Sequence, residues 1–479
     1  MKHQSLIVKF AIITAISSFF LLNACDKDNS LEIPDNNTNL LDTQIEDAWV
    51  FFNDKPSANT YMANPLLMLS QHSLDRRTKQ NISLNSSDVP IEKTYYNKIK
   101  NTVGITVLAK SKWLNALHIQ GTKTNINNLK SNAFVSKIEF ADKTLNTNAR
   151  FLSEKSRIST GKRNHHPENK FGAISDFNYG SALNQIQMLG TDALHQQNYT
   201  GNKMIIAIID VGFPNVNNFS AFERIRTKSK ILGGYDFVNR STNFYTGSSH
   251  GTSVLSIIAG YIDNQFVGTA PDASFYLFIT EDSSKETPLE ESLWVEAAEK
   301  ADSLGVDIIN TSLGYTTFDN PKYDYTYADM NGANTIISRG AEIGASKGMI
   351  LVNANGNEGT TSWKYISAPA DAVSVLSVGA VNASKVIASF SSFGPTSDGR
   401  IKPDVLAQGQ NVYVINSAGN VATSNGTSFA SPVMAGAVAC FWQKNSTKTS
   451  KEIIQMIKQS ARLYNNPTPQ EGYGIPKFN

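Results

Sequence analysis

Hydrophobic positions along the chain fall into runs of different length. Met204-Ile205-Ile206-Ala207-Ile208-Ile209 is continuously apolar over the length of a strand, the pattern of a parallel strand covered on both faces. Asp307-Ile308-Ile309-Asn310-Thr311-Ser312-Leu313-Gly314 predicts a second buried strand that leaves the core at its polar end. The longest apolar segment, Val433 to Trp442, carries helix formers and no turn signal. Pro432 stands where a first helical turn tolerates a missing N–H, so a buried helix is expected to begin just after Ser428. Gly251 to Ala259 predicts another helix, reached through the turn Gly247-Ser248-Ser249.

Upstream the runs are shorter and mixed. Strands are expected at Ala48–Phe52, Ile105–Leu108, Leu114–Ile119 and Val135–Ile138, with a helix over Leu66–Gln80 ending in Arg76-Arg77 and a short one near Asn125–Lys130. The order is β-α-β-β-α-β, a small α+β unit. His72 and His118 in it are expected to be surface or packing residues. Ala141 to Asn178 has a linker's composition, and its pair His165-His166 has no third ligand at a useful spacing. From Tyr179 the chain again has the composition of a core.

A chain of 479 residues is long for one domain, which favours two. A net charge of +2 gives no reason to expect nucleic acid as a partner. Met1 to Cys25 reads as an export signal: Lys2 and Lys9 precede the apolar run Phe10–Leu22, which is short for a membrane span. The only other cysteine, Cys440, falls in the apolar helix, so no internal disulfide is expected after export. Asn29 to Asp47 is polar and reads as a tether.

Chemistry concentrates in the second half. Ser428 precedes a buried helix, where free N–H groups and the helix dipole favour developing negative charge; the plain alternative is a helix N-cap. Asp210 ends the first apolar strand, at the carboxyl edge where open α/β sheets build sites. His250 is the only histidine after it. A serine hydroxyl needs a base to take its proton, and the base needs a carboxylate to set its tautomer. The chain order Asp, His, Ser and the setting Gly426-Thr427-Ser428-Phe429-Ala430 both differ from α/β-hydrolases. Asn357, in Asn353-Ala354-Asn355-Gly356-Asn357-Glu358-Gly359, reads by itself as a turn residue.

Asp210-Val211-Gly212, His250-Gly251-Thr252, Asn357-Glu358-Gly359 and Gly426 to Pro432 together resemble the motifs of subtilisin-like serine proteases, the subtilases. Ser391-Ser392-Phe393-Gly394-Pro395 and Lys402-Pro403-Asp404-Val405 add to the likeness. It is narrower with the subtilases of Bacteroidetes-type bacteria, where it extends to Arg76-Arg77 and Ser111 to Asn115. The resemblance implies an α/β, subtilisin-like three-layer fold with a mainly parallel sheet, preceded by a small α+β, ferredoxin-like propeptide domain. The divisions expected are residues 1–25 lipoprotein signal, 26–47 tether, 48–142 inhibitor-like propeptide, 143–178 processing linker and 179–479 catalytic domain.

By the same resemblance Asp210, His250 and Ser428 form a catalytic triad, and Asn357 donates to the oxyanion. Ser312, Leu313 and Gly314 on one side, and Ala354, Asn355 and Gly356 on the other, hold an extended peptide, with Thr427 among the substrate-binding residues and the pocket floor near Ser367. Asn355, where a small residue is usual, is expected to narrow or polarise one wall. The insert Tyr315–Asn334 is expected at the cleft rim, and Phe140–Leu145 inside the cleft before processing. Ser253, Val433 and Phe429 also depart from the family pattern. No cofactor is expected. The turn Asp263-Asn264-Gln265 falls where many subtilases bind calcium, but one carboxylate is a poor set of hard ligands. Leu22-Asn23-Ala24-Cys25 resembles a lipobox, implying a lipid on Cys25 and a place at the outer membrane, at the cell surface or, after processing, outside the cell; the alternative is an ordinary secretory signal. Peptide or protein substrates and the chain's own propeptide are the partners implied. A serine endopeptidase made as a self-inhibited precursor is the function expected. The alternatives are a catalytically silent binding module of the same fold, and an esterase.

Overall fold

The computed structural model describes residues 43–146 and 177–478. Cys25, the expected export signal, most of the expected tether and His165-His166 lie outside them.

The apolar runs of the second half build a seven-stranded sheet. In space the strands run Val405–Gln408, Leu376–Val381, Ile350–Ala354, Ile308–Thr311, Ile205–Asp210, Ser274–Ile279 and Ile231–Asp236. Every neighbouring pair is parallel. Side chains alternate between faces. Ile206 and Ile208 enter the core shared with the helices His250–Ala259 and Thr427–Lys444, whereas Ala207 and Ile209 face the helices Pro288–Leu304 and Ile336–Ser346. Both faces are thus covered, and the layers number three. From Ile205–Asp210 the chain first winds to one side and then, at Ile308–Thr311, to the other. The carboxyl ends of these two adjacent strands form the switch point at which open sheets bind ligands.

The helix Thr427–Lys444 begins earlier than its apolar run suggests. Gly426 is its N-cap, Ser428 is its second residue, and Pro432 lies inside it. The reading of Ser428 as a cap, and of Pro432 as a first-turn residue, is corrected accordingly. The proline has a local consequence. It has no N–H for the carbonyl four residues back, that of Ser428. Ser312 Oγ donates to that carbonyl instead, at 2.8 Å.

The first half forms a four-stranded antiparallel sheet in the order Ile105–Ser111, Ala116–Thr122, Ile45–Phe52, Val135–Phe140. Its first strand starts three residues inside the expected tether. Glu46 and Asp47 read as tether because they are charged, yet both are buried, bonded to Lys322 and to His118 and Tyr323. The expected helix over Leu66–Gln80 is broken at Ser70, whose side chain caps Gln71–Lys79. Leu66 and Leu67 are left exposed. A helix at Lys93–Lys100 has no counterpart in the apolar pattern.

This unit packs on the helices Pro288–Leu304 and Ile336–Ser346. Trp49 Nε1 donates to Ser292 Oγ at 2.9 Å, and the carboxylate of Glu299 accepts the N–H groups of Lys112 and Trp113. His118 and His72 are interface residues: His118 bonds Ser292 and Asp47, and His72 bonds Gly305 O. Cys440 is fully buried, against Thr269 O. Among the described residues no helix is long and apolar enough to cross a membrane.

Candidate active site

Asp210 ends its strand with no exposed surface. Its Oδ1 accepts the Val211 N–H at 2.8 Å and pairs with His250 Nδ1 at 2.7 Å. Two glycines permit that approach. A Cβ on Gly251 would lie 2.3 Å from Gly212 O and 2.9 Å from Asp210 Cβ, and one on Gly212, at φ +152, would lie 2.4 Å from Thr246 O. Side chains at either position would push the histidine helix off the aspartate strand. Burial works against protonating His250, but the charge and hydrogen bond of Asp210 outweigh it, and the imidazole pKa is raised. Nδ1 is held by the carboxylate, so Nε2 is the nitrogen left for proton transfer.

Ser428 is partly exposed at the first turn of its helix. Its Oγ donates to Ser312 O at 3.2 Å rather than to His250, whose ring lies 5.4 Å from that of the adjacent Phe429. Ser312 therefore grips residue 428 twice, through its carbonyl and its hydroxyl. Behind it Asn310 Nδ2 donates to Ser312 Oγ and Asn310 Oδ1 accepts from Ser431 Oγ, tying the strand end to the helix. Asn357 is exposed, and its Oδ1 accepts both the N–H and the hydroxyl of Thr427, at 2.8 and 3.0 Å. An N–H there requires the amide oxygen on that side, so the Asn357 NH2 is left as a donor beside Ser428.

The other expected site residues separate into two groups. Leu313, Gly314 and Gly356 have accessible surface, while Ser312 and Ala354 are buried at the strand ends. Thr427 is buried, with its hydroxyl held between Asn357 Oδ1 and the Gly356 N–H, so it positions the donor and does not line the cleft. Asn355 is fully buried, its amide bonded to Ser392 O and Ser377 Oγ; it neither narrows nor polarises the wall. Ser367 lies between the two walls: a Cβ on Gly314 would be 2.1 Å from its Oγ, and one on Gly356 3.3 Å.

One segment sits elsewhere than expected. Lys143, in the stretch expected within the cleft, bonds Asp329 at 2.6 Å and lies over the Tyr325 ring, so Phe140–Leu145 rests on the insert and not over Ser428. The insert in turn holds the N-terminal unit, through Lys322 to Glu46 and Tyr323 to Asp47. At Asp263 the carboxylate is engaged by Tyr261 and Asn264 within its own turn, which does not fit a calcium loop needing six to eight oxygen ligands.

Comparison with known proteins identifies the same two regions. A family profile described as "Subtilase family" matches residues 201–475, more than half of the chain, and one described as "Peptidase S8 propeptide domain, Bacteroidota" matches residues 47–159. The chain is 32% identical to Subtilisin NAT of Bacillus subtilis subsp. natto over 59% of its own length and 66% of that relative, just under two thirds. It is also 32% identical to Subtilisin of Bacillus pumilus, covering 58% of this chain and 90% of that one. Among solved structures, that of the prenylagaramide maturation protease PagA matches at 24% identity and a TM-score of 0.46, over 60% of this chain and 95% of that one.

One feature of the site had no signal in the sequence. Glu281, Glu286 and Glu290 come from a strand end, a loop and a helix start, with no spacing to announce them, and their carboxylates gather within 4.8 Å of one another. They line a cavity of about 340 Å³ that also touches Val211, Leu313 and Gly314. Glu281 accepts from Tyr315 OH at 2.6 Å, and Glu290 from the N–H groups of Asp282 and Thr287. Burial, then mutual repulsion, raises Glu286 to about 8 and Glu290 to about 9; burial alone carries most of the rise of Glu281 to about 7. A carboxyl whose pKa is raised by folding holds a proton that the unfolded chain has released, so stability falls as pH rises from about 4.5 through 8. Glu286→Gln is expected to raise the melting temperature at pH 9 and to change it little at pH 5. Calorimetry giving equal shifts at both pH values would show that Glu286 does not titrate in that window.

Proposed function

The chain belongs to the subtilase family, and on that premise we propose that it is a serine endopeptidase acting through Asp210, His250 and Ser428 and made as a precursor inhibited by its own N-terminal unit. Ser428 Oγ leaves Ser312 O, turns to His250 Nε2 and attacks the scissile carbonyl, while Nε2 takes its proton and later delivers it to the leaving amine. Asp210 keeps the imidazole in the tautomer that presents Nε2 as base, and stabilises the imidazolium. The Asn357 NH2 and the Ser428 N–H receive the oxyanion, the latter at a helix start whose dipole favours it. The peptide backbone lies along Leu313–Gly314 as an added strand, opposite Gly356, and the side chain before the cleaved bond enters between them toward Ser367. The first product is an acyl-enzyme, which water then hydrolyses by the same proton path.

One observation carries this reading. A fully buried carboxylate, an imidazole 2.7 Å from it and a serine at the start of a buried helix meet at the sheet's switch point, beside a side-chain amide whose oxygen is already engaged. The parking of Ser428 Oγ on Ser312 O supports a precursor awaiting a rotamer change. In the same proposal Cys25 carries a lipid and the protein works at the cell envelope, where its linker, residues 143–178, is the segment cut.

A fluorophosphonate probe is expected to label the protein and not its Ser428→Ala variant, and that variant is expected to keep residues 141–178 uncut in a protease-free host. A folded protein that takes no label would overturn the enzyme reading and favour the silent binding module. Asn357→Ala is expected to lower kcat by about 10²–10³-fold, the cost measured for that donor in subtilisin. His250 must be neutral to act as base, and its pKa lies above the ordinary 6.5. The acid limb of kcat/KM against pH is therefore expected to have its midpoint above 6.5; a midpoint below it would show that Asp210 does not hold the imidazolium.

A further inference from the structure

One apolar feature of the N-terminal unit is left uncovered by the fold. The helix Ala58–Ala63 and the turn Pro65–Leu67 have no buried residue, although both carry large apolar side chains. Leu66 and Leu67 are each 66% exposed and Met62 is 36% exposed, whereas Leu69, two residues on, is buried and fixes the turn to the body. Single exposed apolar residues are ordinary on a protein surface. Adjacent ones, in a segment that buries nothing, mark a contact with something apolar.

Leu67 and Met68 form the lip of a groove of about 720 Å³ between the N-terminal unit and the catalytic domain. Its apolar lining comes from Val107 and Leu108 of the strand Ile105–Ser111 and from Tyr96, Tyr235 and Phe237. Four cations line it as well, Lys110, Lys112, Arg240 and Lys300. A smaller cavity that shares Lys110 and Lys112 adds Lys93. The two carboxylates of the groove, Glu296 and Glu299, are both engaged. Glu296 accepts the Lys110 N–H and pairs with Arg240, and Glu299 accepts Ser111 Oγ and the N–H groups of Lys112 and Trp113. Lys112 Nζ donates to Ser303 Oγ at 2.8 Å, and Lys93, Lys110 and Lys300 make no ion pair among the described residues. The lip is therefore apolar, and the charge behind it is positive.

We propose that this face docks on an anionic lipid bilayer, with Leu66 and Leu67 entering the boundary between headgroups and acyl chains and the lysines of the groove lying among the headgroup phosphates. Apolar anchoring and attraction to anionic headgroups are the two terms that hold a protein on a membrane surface, and both are present here. A peptide lying in the groove would cover Leu67 but leave Leu66, which is outside the lining, in water; a bilayer covers both. The length of chain ahead of the unit is compatible with this. The 18 residues from Asp26 to Thr43, where the described structure begins, span at most about 60 Å. The lipid proposed for Cys25 and this face can thus engage one membrane, although the face rests on its own observations and not on that lipid.

The test uses the chain from Asp26 onward, which keeps every described residue and lacks both the apolar export run and Cys25. It carries Ser428→Ala so that the proposed self-cutting cannot intervene. Binding is read by co-sedimentation with vesicles of phosphatidylcholine alone and of equal parts phosphatidylcholine and phosphatidylglycerol. The parent is expected to bind the mixed vesicles at least about 10-fold more tightly than the neutral ones, and to lose that advantage as salt is raised. Lys110→Gln and Lys300→Gln are each expected to weaken binding about 5-fold, and Leu66→Ser together with Leu67→Ser about 10²-fold. All four side chains are exposed, so the melting temperature of each variant is expected to equal the parent's. Val386→Ser, also at an exposed position but toward the opposite edge of the seven-stranded sheet, is expected to bind like the parent. A parent that binds neither vesicle, a parent that binds both alike, or leucine and lysine variants that bind like the parent would overturn the proposal. Gel filtration showing a dimer that the double leucine variant abolishes would also overturn it, by assigning the face to a second copy. Probe labelling of Ser428 in the unsubstituted chain is independent of every one of these outcomes.

Discussion

The burial of the helix Thr427–Lys444 is the constraint from which the site follows. Fifteen of its residues are buried, so it has no freedom to slide or roll against the sheet. A proline in its second turn leaves the Ser428 carbonyl without an intrahelical partner, and the hydroxyl of Ser312 takes that place. Helix start and strand end are thereby bonded to each other, with Asn310 and Ser431 as a second tie. Ser428 is held between the helix start and the strand end.

Charge in the molecule is handled in two opposite ways. Where the N-terminal unit meets the catalytic domain, Arg76, Arg77, Asp88, Asp302 and Lys347 leave water together and neutralise one another. Beside Leu313 and Gly314 three glutamates crowd one cavity, and the chain tolerates this by keeping them protonated well above the ordinary carboxyl range. The first arrangement gives a rigid, selective contact. The second keeps three carboxyls protonated next to Leu313 and Gly314.

The catalytic core was the most legible part of the chain. The run Met204–Ile209 has the length and apolar content of a central strand, and the short motifs around Asp210, His250, Asn357 and Ser428 hold specific neighbours: Gly212 and Gly251 for close approach, Thr427 to orient an amide. The N-terminal unit was legible in order but not in detail. Glu46 and Asp47 read as tether because charge ordinarily stays in water, and they are buried, like Arg76 and Arg77, against partners from more than two hundred residues away. Asn355 and Thr427 misled in the opposite sense, as polar residues beside a cleft whose hydrogen bonds are satisfied behind its walls.

By itself, then, the sequence marked two of the buried parallel strands and the apolar helix near Ser428, since periodicity and local sterics act over a few residues, and the resemblance of its short motifs singled out Asp210, His250, Asn357 and Ser428. Tertiary structure alone decided that Ser428 lies within its helix and bonds Ser312, that three distant glutamates share one cavity, and that two arginines close a buried network across an interface. These are properties of groups brought together from far along the chain, where desolvation and the geometry of opposing charges, neither of which has a sequence period, set the outcome.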